Sequence, residues 1–261
     1  MSMTINTNVA SLNAQRNTAA NSASLSTTMQ RLSSGLRINS AKDDAAGLAI
    51  ADRMNTQVRG MNVAVRNAGD AISMAQVAEG GLSTMNDLLQ RMRELAVQAS
   101  NAPNSAGSAG DIAKLDNEYK QLGAELSRML DATQFNGEKI LNTTASYVFQ
   151  VGSNAGAENQ ITIANGDISL SGNAAFSAVA SGGASATLIT GTASANTANI
   201  AALDAAISAV NDRRASLGAL QSRFENTISY LRTASENQSA ARGRIMDADF
   251  AAETANLSRT Q

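Results

Sequence analysis

The sequence predicts a mainly α-helical protein, an elongated rod of long antiparallel, coiled-coil-like helices with a small β-hairpin region in the middle of the chain. About the first hundred and the last sixty of the 261 residues are Ala-rich and follow a helical period with little Gly or Pro. The stretch between them is rich in Gly, Ser, Thr and Asn, which is typical of turns and hairpins. A helix over residues 42–100 would be roughly 88 Å long, whereas a compact globule of this length has a radius of gyration of about 18 Å. We therefore expect a rod, and rods of this kind usually build assemblies.

Composition excludes several classes of function. The chain has no Cys and no His, which excludes imidazole or thiolate metal sites, His-dependent triads and Cys nucleophiles. A formal net charge of -2 gives no general attraction to nucleic acid, and no apolar stretch is long enough to span a bilayer. We expect no enzyme activity, cofactor, metal, nucleic-acid partner or membrane insertion. The first eight residues also lack the basic and apolar regions of a secretory signal peptide.

Residues 4 to about 32 predict a weakly amphipathic first helix. The residues between its apolar positions are mostly Ser, Thr, Asn and Gln, which are poor helix formers, so we expect the helix to be marginal alone and to form once packed. An ordinary first helix of a monomer is the alternative interpretation. The apolar residues expected to pack between subunits are Ile5, Val9, Leu12, Leu25, Met29 and Leu32.

A second helix is expected to follow a break at Gly35 and Asn39. Ser40 is the expected N-cap, with acidic residues in the first turn, and the helix should run to about Ser100. Its heptad seam slips by a stammer-like step near residues 80–81. The seam residues are Met54, Val58, Met61, Val65, Ala68, Ile72 and Ala75, then Leu82, Met85, Leu89 and Met92.

The middle of the chain predicts a shorter helix and several strands. Asp111 is the expected cap of the helix, and residues 133–137 form a turn signal. Short strands are expected at residues 140–141, 147–151 and 160–163. Residues 165–195 should be mainly surface loop, with room for a short strand or a helical turn.

A second long helix should begin near residues 196–199. Its seam keeps an unbroken four-three spacing but becomes polar in its C-terminal half, so its partner there could be another subunit or water. Residues 247–261 are expected to be an extended link. The seam residues are Leu203, Ile207, Val210, Arg214, Leu217, Gln221, Phe224, Ile228, Leu231, Ser235, Gln238, Arg242 and Ile245.

Several segments, in this order and spacing, resemble those of bacterial flagellins, the subunits of the flagellar filament. Together they cover most of residues 4–140 and 200–259. They are INTN at 5–8, LSSGLRINSAKDDAAGLAI at 32–50, QRMRELAVQ at 90–98, TQFNG at 133–137, LGALQSRF at 217–224, ARGRIMDADF at 241–250 and ETANLSR at 253–259.

The resemblance implies a division of the chain and an extracellular role. Residues 1–40 would form an inner-tube helix and link, 41–195 and 196–246 the two parts of an outer-tube core, and 247–261 a C-terminal link. The large outer domains of many flagellins would be absent. In the family a further apolar helix follows the motif at 253–259 and pairs with the N-terminal helix; this chain stops at Gln261, so we expect that partner to be missing.

The resemblance also implies partners. The chain would assemble with itself into a helical homopolymer that serves swimming motility. It would pass through the flagellar type III export apparatus. It would also bind a secretion chaperone, the filament cap and the hook-junction proteins. A hook–filament junction protein and a secreted coiled-coil adhesin are the alternative functions.

Four residues resemble positions at which flagellins contact the animal flagellin-sensing Toll-like receptor: Gln90, Arg91, Leu95 and Glu118. Arg91 and Leu95 are four residues apart on a predicted helix and should share one face. An Arg beside an apolar anchor is typical of interface hot spots. Packing against the next subunit is the other interpretation of these residues, and both roles can hold.

Overall fold

The computed structural model describes residues 8–101, 110–180 and 193–261, with the side chains of 193–195 excepted. Long helices dominate, and two small antiparallel strand pairs lie in the middle of the chain, which confirms the predicted fold class. In chain order the elements are α1 (Val9–Ser34), α2 (Ala45–Ala99), α3 (Asp111–Ala132), β1 (Gln134–Phe135), β2 (Glu138–Lys139), β3 (Tyr147–Gln150), β4 (Gln160–Ile163), α4 (Asn165–Ile168), α5 (Ala174–Ala180), α6 (Ala193–Met246) and α7 (Phe250–Thr260), with a 3-10 turn at Ala157–Asn159.

The chain forms two compact units. The first comprises Met1–Asn62 and Arg232–Gln261, and the second comprises Val63–Leu231. The long helices α2 and α6 each contribute residues to both units, so the units cut across the four segments expected from the sequence.

In the first unit, the segments that follow α1 and α6 pair with each other. α1 ends at Gly35, whose φ of 70° is a left-handed cap conformation that glycine adopts at little cost. An isolated antiparallel bridge then joins Leu36 to Asp247, and the Arg37 amide donates to the Met246 carbonyl at 2.7 Å. This bridge brings α7 onto α1.

The predicted extended link at 247–261 is therefore wrong. Asp249 is a strong N-cap, because its Oδ1 accepts hydrogen bonds from the amides of Ala251 and Ala252 at 2.9 and 3.3 Å. An amphipathic helix of 11 residues follows. This helix, α7, packs against the part of α1 that contains Arg31.

The predicted N-cap of α2 is wrong by four residues. Asp44, not Ser40, directly precedes the helix, and its Oδ1 accepts from the Gly47 amide at 2.8 Å. Ser40 instead belongs to the preceding turn, where its amide and hydroxyl donate to Asp43 Oδ2. These hydrogen bonds from Ser40, with one from the Asn39 amide, hold the pKa of Asp43 below its ordinary value of 3.8.

The buried seam of α2 has no stammer. The helix continues through Gly80 and Gly81, and buried residues alternate at three- and four-residue steps on both sides of them. Val65 and Ile72, which were expected in the seam, are only half-buried. The predicted spacing chose these two residues, whereas the seam uses the alanines that directly precede them, Ala64 and Ala71, and small side chains let neighbouring helices approach closely. Its members are Ala64, Ala68, Ala71, Ala75, Ala78, Leu82, Met85, Leu89, Met92, Ala96 and Ala99.

In the second unit, α6 packs antiparallel to α2. Arg93 Nε lies 2.6 Å from Asp204 Oδ1, and Arg214 Nε lies 2.8 Å from Glu79 Oε1, so residue numbers rise along one helix as they fall along the other. Every predicted seam position of α6 with a described side chain is buried or half-buried. The fully buried members recur every seven residues: Leu203, Val210, Leu217 and Phe224.

In the first unit, the polar half of the α6 seam faces polar residues of α2. Arg242 donates to Asn55 Oδ1 at 2.6 Å, Gln238 pairs with Gln57, and Ser235 donates to Asn62 at 3.4 Å. The prediction that another subunit or water would cover this half is therefore wrong, because the chain covers it with its own α2.

The middle of the chain contributes to the core of the second unit. Asn136 and Gly137 have φ values of 52° and 84°, which fits a two-residue type I′ turn between β1 and β2. Residues 140–141 form no strand, although both are fully buried, because the Ile140 and Leu141 main chains bond to Thr133 and Leu170 instead of to a neighbouring strand. Gly110, not Asp111, is the N-cap of α3, and Asp111 lies in the first turn.

The expected surface loop at 165–195 is wrong as far as residue 180, where the helical turn that the prediction allowed becomes two short buried helices. The helices α4 and α5 bury apolar side chains in the core, among them Ile168, Phe176 and Val179. Gly and Ser near these residues suggested a loop, but the few large apolar residues decide the packing. Residues 181–192 lie outside the described part of the chain.

Candidate functional site

The N-terminal helix α1 leaves most of its surface exposed. Asn8 Oδ1 accepts from the Ser11 amide at 3.0 Å and caps the helix. All residues from 8 to 24 are exposed, including Val9 at 67% and Leu12 at 50%. Apolar side chains on a helix normally face a core or a partner, so this part of α1 is a candidate assembly surface.

The other residues expected to pack between subunits divide into three groups. Met29 is exposed at 54%, as the prediction requires. Leu25 and Leu32 are half-buried in the part of α1 against which α7 packs. Ile5 lies outside the described residues.

The second candidate surface is a charged cluster on α2 and α3. Arg91 donates to Glu118 Oε1 through Nε at 3.0 Å and through its NH2 group at 2.8 Å, and its NH1 group donates to Glu94 at 3.0 Å. Glu118 and then Glu94 raise the pKa of Arg91 above its ordinary value. The two carboxylates therefore hold an exposed guanidinium in one orientation, a form of preorganisation that favours recognition.

The predicted receptor-contact residues are not all on this surface. Gln90, Arg91 and Glu118 are exposed, whereas Leu95 is fully buried in the core of the second unit. The expectation that Leu95 stands beside Arg91 as an exposed apolar anchor is therefore wrong. Spacing on α2 could not show this, because Leu95 is buried by its place in the core of the second unit, which also contains residues of α3 and α6.

Sequence reasoning missed a polar pair between the terminal helices. Arg31 of α1 lies 3.5 Å from Glu253 of α7, and Glu253 is only 8% exposed. The two residues are 222 positions apart, and no spacing in the sequence links Arg31 to Glu253, so only the fold brings them together.

Among the described residues no group of three or more acidic residues is arranged to hold a metal ion. None of the helices in that part of the chain is both long and apolar enough to cross a bilayer.

Comparison with known proteins gives a consistent result. Residues 5–146 match the model of the bacterial flagellin N-terminal helical region, and residues 200–261 match that of the bacterial flagellin C-terminal helical region. The chain is similar to a flagellin of Halalkalibacterium halodurans, with 45% identity over 259 residues that cover 99% of this chain and 90% of the relative. It is 38% identical over 283 aligned positions to a flagellin of Bacillus subtilis, covering 98% of this chain and 91% of the relative. The crystal structure of Bacillus cereus flagellin matches with a TM-score of 0.50 and 28% identity, covering 68% of this chain and 94% of that one.

Proposed function

Because the chain belongs to the bacterial flagellin family, we propose that it is a structural subunit, not an enzyme, that self-assembles into the extracellular flagellar filament and serves swimming motility. The relatives align with it over nearly their whole length, which fits the short form expected from the sequence.

The observation that carries this proposal is the exposed apolar residues of α1. Fully burying an exposed side chain such as leucine contributes about 1.5–3 kcal/mol. Contact with a neighbouring subunit would remove the exposed apolar area of α1 from water and so favour assembly. Such a contact would join the surface of one subunit to a different surface of the next, and contacts of that type generate helical filaments.

Seeded polymerisation tests the proposal. The purified chain, mixed with short filament seeds, should yield sedimentable filaments visible by negative-stain electron microscopy. Leu12→Asn should raise the critical concentration for growth by about tenfold or more, since each 1.4 kcal/mol of lost contact is tenfold. Gln15→Ala, on the same exposed helix, should polymerise like the parent. Failure of the parent chain to add to seeds would argue against a filament subunit.

The same family membership supports the other expected partners. In this proposal the chain leaves the cell through the flagellar type III export apparatus, bound beforehand by a secretion chaperone. At the filament it contacts the cap and the hook-junction proteins. Co-purification of the chain with each of these components tests these contacts individually.

Recognition by the animal flagellin-sensing Toll-like receptor is a second proposed function. The exposed Arg91, oriented by Glu118 and Glu94, supports it, because oriented Arg side chains are frequent hot spots. Gln90 adds an exposed amide next to this cluster. Leu95 enters the proposal only as a core residue that holds α2 in place.

A receptor-dependent reporter assay tests this second function. Arg91→Ala should raise the half-maximal concentration by about tenfold or more, as expected for a hot spot of at least 1.4 kcal/mol. Arg93→Ala is the matched control, because Arg93 lies two residues further along the same helix and pairs with Asp204 instead. Equal potency of the two variants would remove Arg91 from the receptor contact.

A further inference from the structure

The interface between the terminal helices α1 and α7 is centred on polar residues. The one buried residue of α7 is Glu253, and the one buried residue of α1 is Thr28. The leucines of this region are only half-buried, and α7 otherwise carries alanines that repeat along its length. Small residues at regular spacing fit several registers almost equally well, so apolar packing alone does not determine how far α7 lies along α1.

Glu253 has defined partners in this interface. Its Oε1 lies 3.5 Å from Arg31 Nη1, and its Oε2 accepts from Asn256 Nδ2 at 3.2 Å. The side chain of Glu253 is 10% exposed and that of Arg31 33%. The Arg31 Nε is buried without a hydrogen-bond partner. Removing charged groups from water is costly, and a long ion pair with one unpartnered donor offsets that cost poorly. Stability alone therefore does not explain the pair.

The pair does discriminate between registers. Arg31 is the only charged residue of α1 between residues 17 and 34. If α7 slipped by one turn along α1, Glu253 would face Thr27 or Gly35 and would lose its ion pair with Arg31. Asp249 could not replace it opposite Arg31, because its carboxylate caps α7. Polar or charged residues at otherwise apolar helix interfaces are known to fix register at some cost in stability.

We infer that Arg31 and Glu253 are the specificity-determining pair that sets the register of α7 on α1, beyond the start of α7 that the Leu36–Asp247 bridge already places near the end of α1. Each acts as a positioning residue, since it selects one alignment of the two helices and penalises the others. This inference concerns the pairing of the two ends within one chain, and it holds whether or not the chain polymerises.

The absence of Cys from the sequence makes a direct test possible, because introduced cysteines take spin labels at known positions only. Ser11→Cys on α1 and Ser258→Cys on α7 are both exposed sites. The distance between labels on the unpolymerised full chain is measured by double electron–electron resonance. We expect one main distance. Arg31→Glu alone, or Glu253→Arg alone, should broaden the peak or shift it by about 5.4 Å, the length of one helical turn. The combined reversal should restore the original peak.

Arg16→Glu controls for a general charge effect, because Arg16 is exposed on α1 far from the pair, and it should leave the distance unchanged. The inference is overturned if the parent shows no single distance, if the single reversals leave the peak in place, or if the combined reversal is as broad as the single ones. A parent chain that shows the expected distance but does not add to filament seeds would argue against the filament role and leave this inference intact.

Discussion

At the scale of single residues, two neighbouring glycines of α2 have different roles. A Cβ added at Gly80 would have no atom within 4 Å. A Cβ added at Gly81 would lie 2.9 Å from Thr133 Oγ1 and 3.2 Å from Leu141 Cδ1. Thr133 is held in place by its hydrogen bond to the Met129 carbonyl at 2.8 Å, and Leu141 is fully buried. Gly81 therefore allows the end of α3 to approach α2 closely, whereas Gly80 has no such role.

This difference predicts opposite effects of two similar substitutions. Gly80→Ala should stabilise the chain by about 0.5–1 kcal/mol, because alanine favours the helical conformation. Gly81→Ala gains the same helical preference but forces Thr133 and Leu141 to move, and overpacking of this kind costs about 1–3 kcal/mol. Chemical denaturation of both variants should place Gly81→Ala below Gly80→Ala in stability. Equal stabilisation by both would show that Thr133 and Leu141 move aside for the added methyl group at no cost in stability.

Asp131 predicts a pH dependence. Lys139 Nζ and Asn142 Nδ2 each lie 2.8 Å from its Oδ1, and these hydrogen bonds hold the pKa of Asp131 below the ordinary value of 3.8. A carboxylate with a lowered pKa stabilises the fold at pH values above its ordinary pKa, and that contribution disappears as the pH falls through the lowered pKa. The melting temperature of Asp131→Asn should therefore lie below that of the parent at neutral pH. The two should converge once the pH has fallen below the lowered pKa of Asp131. A difference that persists in strong acid would contradict this assignment.

At the scale of elements, the sequence predicts that a helix has a buried seam better than it predicts which residues form that seam. The four-three spacing of α6 correctly identified its seam, because a heptad repeated over many turns leaves only one face to bury. In α2 the same spacing argument chose Val65 and Ile72, although the residues buried there are Ala64 and Ala71. Small side chains let helices approach closely, but which face of α2 the partner helices cover is not contained in the sequence of α2 alone.

The same limit explains the errors at α7 and at the candidate surface. Asp249 caps a helix of only 11 residues, and so short a helix is marginal by itself in water. Its contact with α1, which the local sequence does not reveal, helps to stabilise it. Leu95 is four residues from Arg91, but a helix face can be covered or exposed depending on α3 and α6. The pair formed by Arg31 and Glu253 is even harder to predict from the sequence, because it forms only where two segments 222 residues apart come together.

The β1–β2 hairpin predicts a further substitution effect at this scale. Gly137 has a φ of 84°, a left-handed conformation that costs a residue with a side chain about 1–2 kcal/mol. Gly137→Ala should lower the stability of the chain by about that amount. Asn136→Gly, at the neighbouring turn position with a φ of 52°, should change it by less, because glycine tolerates this conformation. Thermal unfolding followed by circular dichroism measures both, and an Ala variant as stable as the parent would argue against the type I′ turn.

At the scale of the whole molecule, the two units differ in how they are held together. The second unit contains one continuous cluster of buried apolar residues, to which α2 contributes Leu82, Met85 and Leu89. Among the described residues of the first unit, the buried apolar ones are Ile38, Ala51 and Met61, and the contacts of α6 with α2 are largely polar. Apolar burial is the main favourable contribution to folding, so the two units should open at different free energies.

Hydrogen exchange along α2 tests this difference within one helix. Amides in residues 48–60 belong to the first unit, and amides in residues 74–95 belong to the second, although both segments have the same helical hydrogen bonds. Local opening exposes the amides that exchange, and it costs less where few apolar contacts must be broken. We expect the first segment to exchange at least about tenfold faster, which corresponds to 1.4 kcal/mol less opening free energy. Equal protection of the two segments would mean that the polar pairs between α2 and α6 stabilise the first unit as well as the apolar core stabilises the second.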